Sequence, residues 1–454
     1  MFKTRQVDFT QGSVLKNMLI FTVPVFFANV FSSLYSIVDA TVVGRFVGAE
    51  ALAAVNASFA LNTVLVALCA GRGVGTSVVI SQFYGSKRMV DVARSIGTAL
   101  TTALSICAVI MTLGLIFAPQ LLALLNTPQE IMADAVLYFR IVLVGFAGQL
   151  LYGMSSGLLR GVGDSAFPAL IVGVSSVLNI VLDVLFVAVF RWGVAGVAWA
   201  TVIAHCISTV PPVLRLLSTR YGYKMTLDCY RIRLSYLKTI VRIGLFAAMN
   251  MLVTAVGMML IQAFANGFGT DFVAAIGVVQ KVDSFAILPM STIGGTVSTF
   301  NGQVLGAGQL DRSREGCTKG VATSCAFGLL IGVTLFFIAP LLLRLFISAS
   351  DPRFEAVSAW GVKNIRTLAF FYVFYALQNG LYCTLQGAGA LRPAATMTLI
   401  GMALRVALTW LLAVKLQNPV GMYWATNIFH IFLCIMYALY LKFGNVKKFA
   451  VIRR

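Results

Sequence analysis

Trp199 to His205 reads WATVIAH and Trp424 to His430 reads WATNIFH, 225 positions apart (424 minus 199). The histidines that close these stretches are the only two in a chain of 454 residues. Working back from them, Phe117-Ala118-Pro119 pairs with Ile338-Ala339-Pro340, and Gln82-x-x-Gly85 with Gln303-x-x-Gly306, both at an offset of 221. Gly48 with Ala53-Ala54 recurs as Gly269 with Ala274-Ala275 at that offset, and Arg160-Gly161-Val162-Gly163 recurs as Gln386-Gly387-Ala388-Gly389 at 226. A near-constant offset across most of each half means duplication, with a period too long for a solenoid.

Hydrophobic residues make up 59% of the chain and charged residues 11%, against the near-quarter charged share of soluble domains, so the solvent for most of it is lipid. Runs able to cross a bilayer as helices of roughly twenty residues fall near 16–43, 52–80, 94–118, 131–157, 167–190 and 195–217. They recur near 239–266, 273–305, 317–347, 359–386, 393–416 and 420–443. The expected fold is all-α, with twelve membrane spans in two six-helix lobes, 1–217 and 239–454, joined by a basic linker at 218–238. An even number of spans per half places both halves the same way up, so the repeat is parallel, an organisation common in membrane transporters.

Lys87, Arg88 and Arg94 in one half and Arg312, Arg314 and Lys319 in the other fall on one side, with both chain ends and the linker. The positive-inside rule makes that side cytoplasmic. The expectation is a multi-pass protein of the inner membrane, its first span inserted uncleaved. The net charge of +19 is explained by these short loops and by anionic lipid headgroups, which removes the case for nucleic acid. The eight cysteines (69, 107, 206, 229, 317, 325, 383 and 434) show no CxxC spacing and read as small apolar residues. Thr127-Pro128 and Asp351-Pro352 each place a capping residue and a proline before the fourth span of their half.

A carboxylate inside hydrocarbon costs at least a few kcal/mol on insertion scales, which singles out Asp39, Asp183 and Asp283. The duplication supplies an internal control. Asp39 faces Leu260 at 221 and Asp183 faces Thr409 at 226, whereas Asn29 keeps Asn250 and Thr201 keeps Thr426. Asn179 and Asp183, four apart, share one helical face and can converge on one ion or proton; their counterparts, Arg405 and Thr409, cannot. Asp39 with Asp183 suits a shared proton, and oxygen ligands from Asp, Asn and Thr equally suit a sodium ion, so both occupants stay open.

Competing readings attach to each residue. Asp39 lies near a span end and can act as an interfacial cap. Asp283 follows Lys281 near the start of the eighth span and ranks second, as does His205, whose match to His430 favours shared packing over proton carriage. Pro24 removes a backbone hydrogen bond and permits a bend in the first span. Gly71-x-x-x-Gly75 reads as close helix packing. Gly153-Met154-Ser155-Ser156-Gly157 matches GxSxG, but in an apolar helical run rather than a strand-turn-helix elbow, and no P-loop is present. An enzyme is not expected.

Pro24-Val25-Phe26-Phe27, Ile37-Val38-Asp39 to Val43-Gly44, the Gln82 and Gln303 loops, Asn179-x-x-x-Asp183 and Trp199-Ala200-Thr201 together resemble the multidrug and toxic compound extrusion (MATE) transporters over nearly the whole chain. The resemblance implies a V-shaped pair of lobes that exports cationic amphipathic compounds, as a monomer without cofactor, in exchange for protons or sodium ions. In the branch typified by DNA-damage-inducible protein F, the matching ion site is Asp39, Asn179, Asp183 and Thr201. Another branch uses carboxylates in the seventh and tenth spans, and neither of those spans holds one here. Phe246 stands where relatives often have proline. The alternative within the superfamily is a flippase for lipid-linked saccharides, which needs a cation-rich cleft; Arg72, Arg140 and Arg405 are the candidates.

Overall fold

The computed structural model describes residues 6–445 apart from 43–54, 56, 126, 219–220 and 347–351, together with Val451. Fourteen helices are described: α1 (Val14–Val42), α2 (Phe59–Gly85), α3 (Met89–Leu124), α4 (Gln129–Gly161), α5 (Ala166–Asp183), α6 (Gly193–Leu217), α7 (Leu234–Asn266), α8 (Thr270–Ala286), α9 (Leu288–Gly306), α10 (Leu310–Phe346), α11 (Phe354–Ala369), α12 (Tyr372–Gly387), α13 (Leu391–Thr409) and α14 (Gly421–Phe443). Among the described residues, nine helices cross a membrane by length and apolarity alone, and the bent pairs α8–α9 and α11–α12 make one span each. The 27-residue α2, whose only charged residue is Arg72, completes twelve. Helices close their own backbone hydrogen bonds, which is what lipid demands of a spanning segment.

Contacts divide the chain into two units, one of Met1–Asp8 with Val23–Ala248 and one of Phe9–Thr22 with Met249–Arg454. The first turns of α1 therefore group with the second unit and those of α7 with the first. Within the first unit α4 packs along α2, α3 and α6; within the second, α12 packs along α9, α10 and α14. The duplication thus extends to the packing pattern. It also reaches backbone irregularities: a π-helical turn at Val184–Val189 follows α5 and another at Trp410–Lys415 follows α13, displaced by 226 (410 minus 184). Arg191 (φ 56°) and Gln417 (φ 51°) repeat a left-handed residue at the same offset, as do Gly163 (φ 90°) and Gly389 (φ 81°).

Close approach within the first unit uses small residues. A side chain on Gly71 would meet the Gly244 carbonyl at 2.7 Å and one on Gly75 the Ile240 carbonyl at 2.5 Å, so the Gly71-x-x-x-Gly75 face is the α2–α7 contact. Gly163 turns the chain out of α4 with a positive φ, and its carbonyl accepts from the Val7 N–H at 2.9 Å. Where the sequence suggested a linker, Leu227–Tyr230 forms a 3-10 turn against α3, with the hydroxyl of Thr101 donating to the Tyr230 carbonyl at 2.9 Å.

Two expectations change. The eighth and tenth spans are not single rods: α8 and α9 meet at 42°, and α11 and α12 at 51°. Pro289 explains the first break, since it removes the N–H that would continue the helix. At the second, α10 presents Gly328 and Gly332, which admit the Tyr372 and Ala369 carbonyls to its surface. Thr127 does not cap α4; Pro128, in an extended conformation (ψ 144°), takes the N-cap position, and a proline ring offers no side-chain acceptor. Asp351 lies outside the described residues.

Candidate functional site

In the first unit α5 carries Asn179 and Asp183 one turn apart, both facing α6 and almost wholly buried (2% and 0% exposed). With the amide oriented to satisfy both its ends, Asn179 Nδ2 donates to Asp183 Oδ2 at 2.9 Å and Oδ1 accepts from the Thr201 N–H at 3.3 Å. The Thr201 hydroxyl donates to the Val197 carbonyl (3.1 Å), which leaves its oxygen able to accept or to ligate a cation. The structure thereby brings three sequence-chosen residues into one polar contact. Asp183 is the last α-helical residue before the π turn, a distortion that re-aims side chains and recurs at functional sites.

A cavity of about 110 Å³ opens beside this contact, lined by Ser32, Tyr35, Tyr152, Asn179, Thr201 and His205 among others. His205 therefore stands in the wall of the cavity. Asp39 belongs to α1, four residues on from Tyr35 (39 minus 35), and its side chain lies outside the described residues. Pro24 is inside α1, which continues through it, and it lines an apolar groove with Phe27, Phe31 and α5 residues such as Leu170 and Val177.

Asp283 belongs to the second unit. It sits near the end of α8, at the break, where it accepts a hydrogen bond from the Tyr372 hydroxyl at 2.8 Å. Both bends thus converge: the α8–α9 break presents Asp283 and the α11–α12 break presents Tyr372. They wall a cavity of about 390 Å³ that also includes Tyr375, Tyr382, Arg405 and His430. His430 lies edge-on to Tyr375, with ring centroids 5.4 Å apart and planes at 86°. Sequence reasoning missed these tyrosines. The available signal was that each falls on a non-tyrosine counterpart in the first half.

A further buried cluster lies at the α4–α5 corner of the first unit. Arg215 and Asp164 are both fully buried and paired at 2.6 Å, the Tyr221 hydroxyl donates to Asp164 at 2.7 Å, and the guanidinium lies 4.0 Å from the Phe167 ring centroid. Burial first, and then the Asp164 charge, raise the Tyr221 pKa, so the phenol remains a donor. Asp164 also accepts from the Phe167 N–H at 3.2 Å, which pins the first turn of α5 and so the helix that carries Asn179 and Asp183. Gly153 to Gly157 lie inside α4, with Ser155 and Ser156 buried, so no nucleophile elbow exists there.

The MatE family model matches residues 24–185 and 247–411, one stretch in each half. The chain belongs to the MatE family. It is 31% identical to the probable multidrug resistance protein YoeA of Bacillus subtilis (strain 168), over 76% of either chain. It is 29% identical to the probable multidrug resistance protein YpnP of the same organism, over 91% of this chain and 92% of the relative. Among solved structures, the outward-facing conformation of a multidrug resistance MATE family transporter of the MOP superfamily superposes with a TM-score of 0.91, at 22% identity, over 99% of this chain and 100% of the other. At that identity the superposition speaks for the twelve-helix fold. The MatE chain is a multi-pass integral membrane transporter of small molecules, not an enzyme.

Proposed function

We propose that this MatE transporter exports cationic amphipathic compounds by antiport, and that the coupling ion, a proton or a sodium ion, binds in the first unit at Asn179, Asp183 and Thr201 together with Asp39. The carrying observation is the buried Asn179–Asp183–Thr201 contact. A carboxylate held at 0% exposure among oxygen and amide groups is costly to keep in hydrocarbon without a binding role. The ion changes the equilibrium between states only through a difference in affinity between them, and α5 and α6, which carry the contact, are the elements whose repacking would register occupancy. At the matching positions the second unit carries Arg405 and Thr409, neither of them a carboxylate. The protein works as a single chain in the inner membrane, with both termini cytoplasmic and no organic cofactor.

Export of a fluorescent cation from proteoliposomes, driven in turn by a pH gradient and by a sodium gradient, tests this reading and names the ion. Asp183→Asn, which keeps size and hydrogen-bonding groups, is expected to reduce gradient-driven export at least tenfold while the purified protein stays monodisperse; export at the wild-type rate overturns the assignment. A flippase would instead need several cations for a pyrophosphate, and the lysine and arginine residues lining the second unit's cavity number one, Arg405.

A further inference from the structure

The outward surface of the second unit carries two cations partway along a membrane span. Lys363 and Arg366, three residues apart on α11, are both exposed, and they line a groove of about 610 Å³ together with Phe336 of α10, Phe370 and Trp424 of α14. The ion pairs found among the described residues include neither cation, and no acidic residue among those described lines the groove. A proline holds the arginine in place. Pro340 has no N–H to give the Phe336 carbonyl four residues back, and Arg366 Nε donates to that carbonyl at 3.3 Å instead. The guanidinium lies 5.1 Å from the centroid of the Phe336 ring, which in turn packs 5.0 Å from the Phe370 ring. The duplication keeps this arrangement in outline: Arg366 falls on Arg140 at 226, also exposed, Pro340 on Pro119 at 221 and Trp424 on Trp199 at 225. Lys363 falls on Leu137, so only the second unit sets two cations side by side.

An exposed charge on a span is costly unless it reaches the interface or meets a counter-charge. Depth decides which groups it can reach. α10 has 37 residues and is far longer than the hydrocarbon it crosses. With α10 centred in the bilayer, Phe336, eight residues past the midpoint (336 minus 328), lies ~12 Å from the mid-plane and just inside the ~15 Å edge of the hydrocarbon. From there long basic side chains snorkel to the phosphate layer. A guanidinium offers a phosphate two parallel N–H groups and an ammonium adds a point charge, while tryptophan is the residue that membrane interfaces select. Basic pockets between spans are where anionic headgroups bind.

We propose that this groove is a binding site for an anionic phospholipid, its phosphate held by Lys363 and Arg366 and an acyl chain lying against Phe336, Phe370 and Trp424. The site shares no residue with the proposed coupling site, and it stands whichever compound the transporter exports.

Trp424 makes the groove readable. The full-length transporter is reconstituted in phosphatidylcholine bilayers containing a rising share of phosphatidylglycerol with dibrominated chains, whose bromines quench tryptophan on contact. The quenching that is absent from Trp424→Phe is the groove's own. In the wild type that part is expected to reach half its maximum at a share about tenfold lower for brominated phosphatidylglycerol than for brominated phosphatidylcholine, as a charge-assisted hydrogen bond predicts. Arg366→Gln and Lys363→Gln should each move the phosphatidylglycerol value several-fold toward that of phosphatidylcholine. Arg344→Gln, which removes a cation of the last turn of α10 outside the groove, should leave it in place.

Equal half-maxima for the two lipids in the wild type overturn the proposal, a result readable even where a variant fails to fold. So does a shift from Arg344→Gln as large as that from Arg366→Gln, which would mean diffuse attraction to an anionic surface. Relief of the quenching by inorganic phosphate in the buffer would assign the cations to a free anion and overturn it as well.

Discussion

At the scale of single residues the chain concentrates its buried charge in a few places, and each makes a separate demand. Arg215 and Asp164 form a fully buried ion pair completed by Tyr221. Removing one partner strands the other: Arg215→Met is expected to cost roughly 3–5 kcal/mol, because Asp164 would remain charged and buried. Tyr221→Phe removes two hydrogen bonds, the one its hydroxyl donates to Asp164 and the one it accepts from Arg215, and should cost about 1–3 kcal/mol. Thermal unfolding of the purified protein, followed by fluorescence, checks both; a midpoint for Arg215→Met equal to that of the wild type would show that the pair carries no stability. Of these residues, sequence reasoning found Asp183 and Asn179, because intramembrane carboxylates and helical spacing are visible in one dimension. It missed Asp164 with Arg215, because nothing local tells that a loop aspartate and a residue 51 positions on will meet.

At the scale of elements, small residues and helix breaks set where backbones approach. A side chain at Gly75 would collide with the Ile240 carbonyl, and backbone cannot give way as a flexible side chain does. Gly75→Val should therefore lower stability by about 1–3 kcal/mol through overpacking of α2 against α7, whereas the same change at Gly277, which has nothing within 4 Å, should be nearly silent. Paired unfolding curves for the two variants make the comparison. The breaks in the eighth and tenth spans matter more for chemistry, since they carry Asp283 and Tyr372 to the same cavity. Pro289 lies at one of them, a local signal that the sequence reading did not use, while the other depends on Gly328 and Gly332 of a different helix and so was hidden from any reading of its own span.

At the scale of the whole molecule, the two repeats share a plan and differ in the polar residues they bury. Each unit holds a cavity, and the linings differ: Asn179, Thr201 and His205 with Tyr35 and Tyr152 in the first, Asp283, Arg405 and His430 with Tyr372, Tyr375 and Tyr382 in the second. The even count of spans predicts that both ends share a side. A green fluorescent protein fused after Arg454 should fluoresce, because it folds only in the cytoplasm, and an alkaline phosphatase fused there should be inactive; the reverse pattern would invert the assigned topology.

The amino-acid sequence alone determined the duplication, the membrane as solvent, the number of the spans, and which intramembrane residues broke the symmetry. All of these are written in composition, periodicity and internal comparison, which are local or self-referential quantities. The tertiary structure alone decided the division of α1 and α7 between the units, the two helix breaks, the buried Asp164–Arg215–Tyr221 cluster and the joining of Asp283, Tyr372 and Arg405 around one cavity. Each depends on contacts between segments distant in the chain, where packing geometry, rather than any residue's own preference, sets which side chains meet.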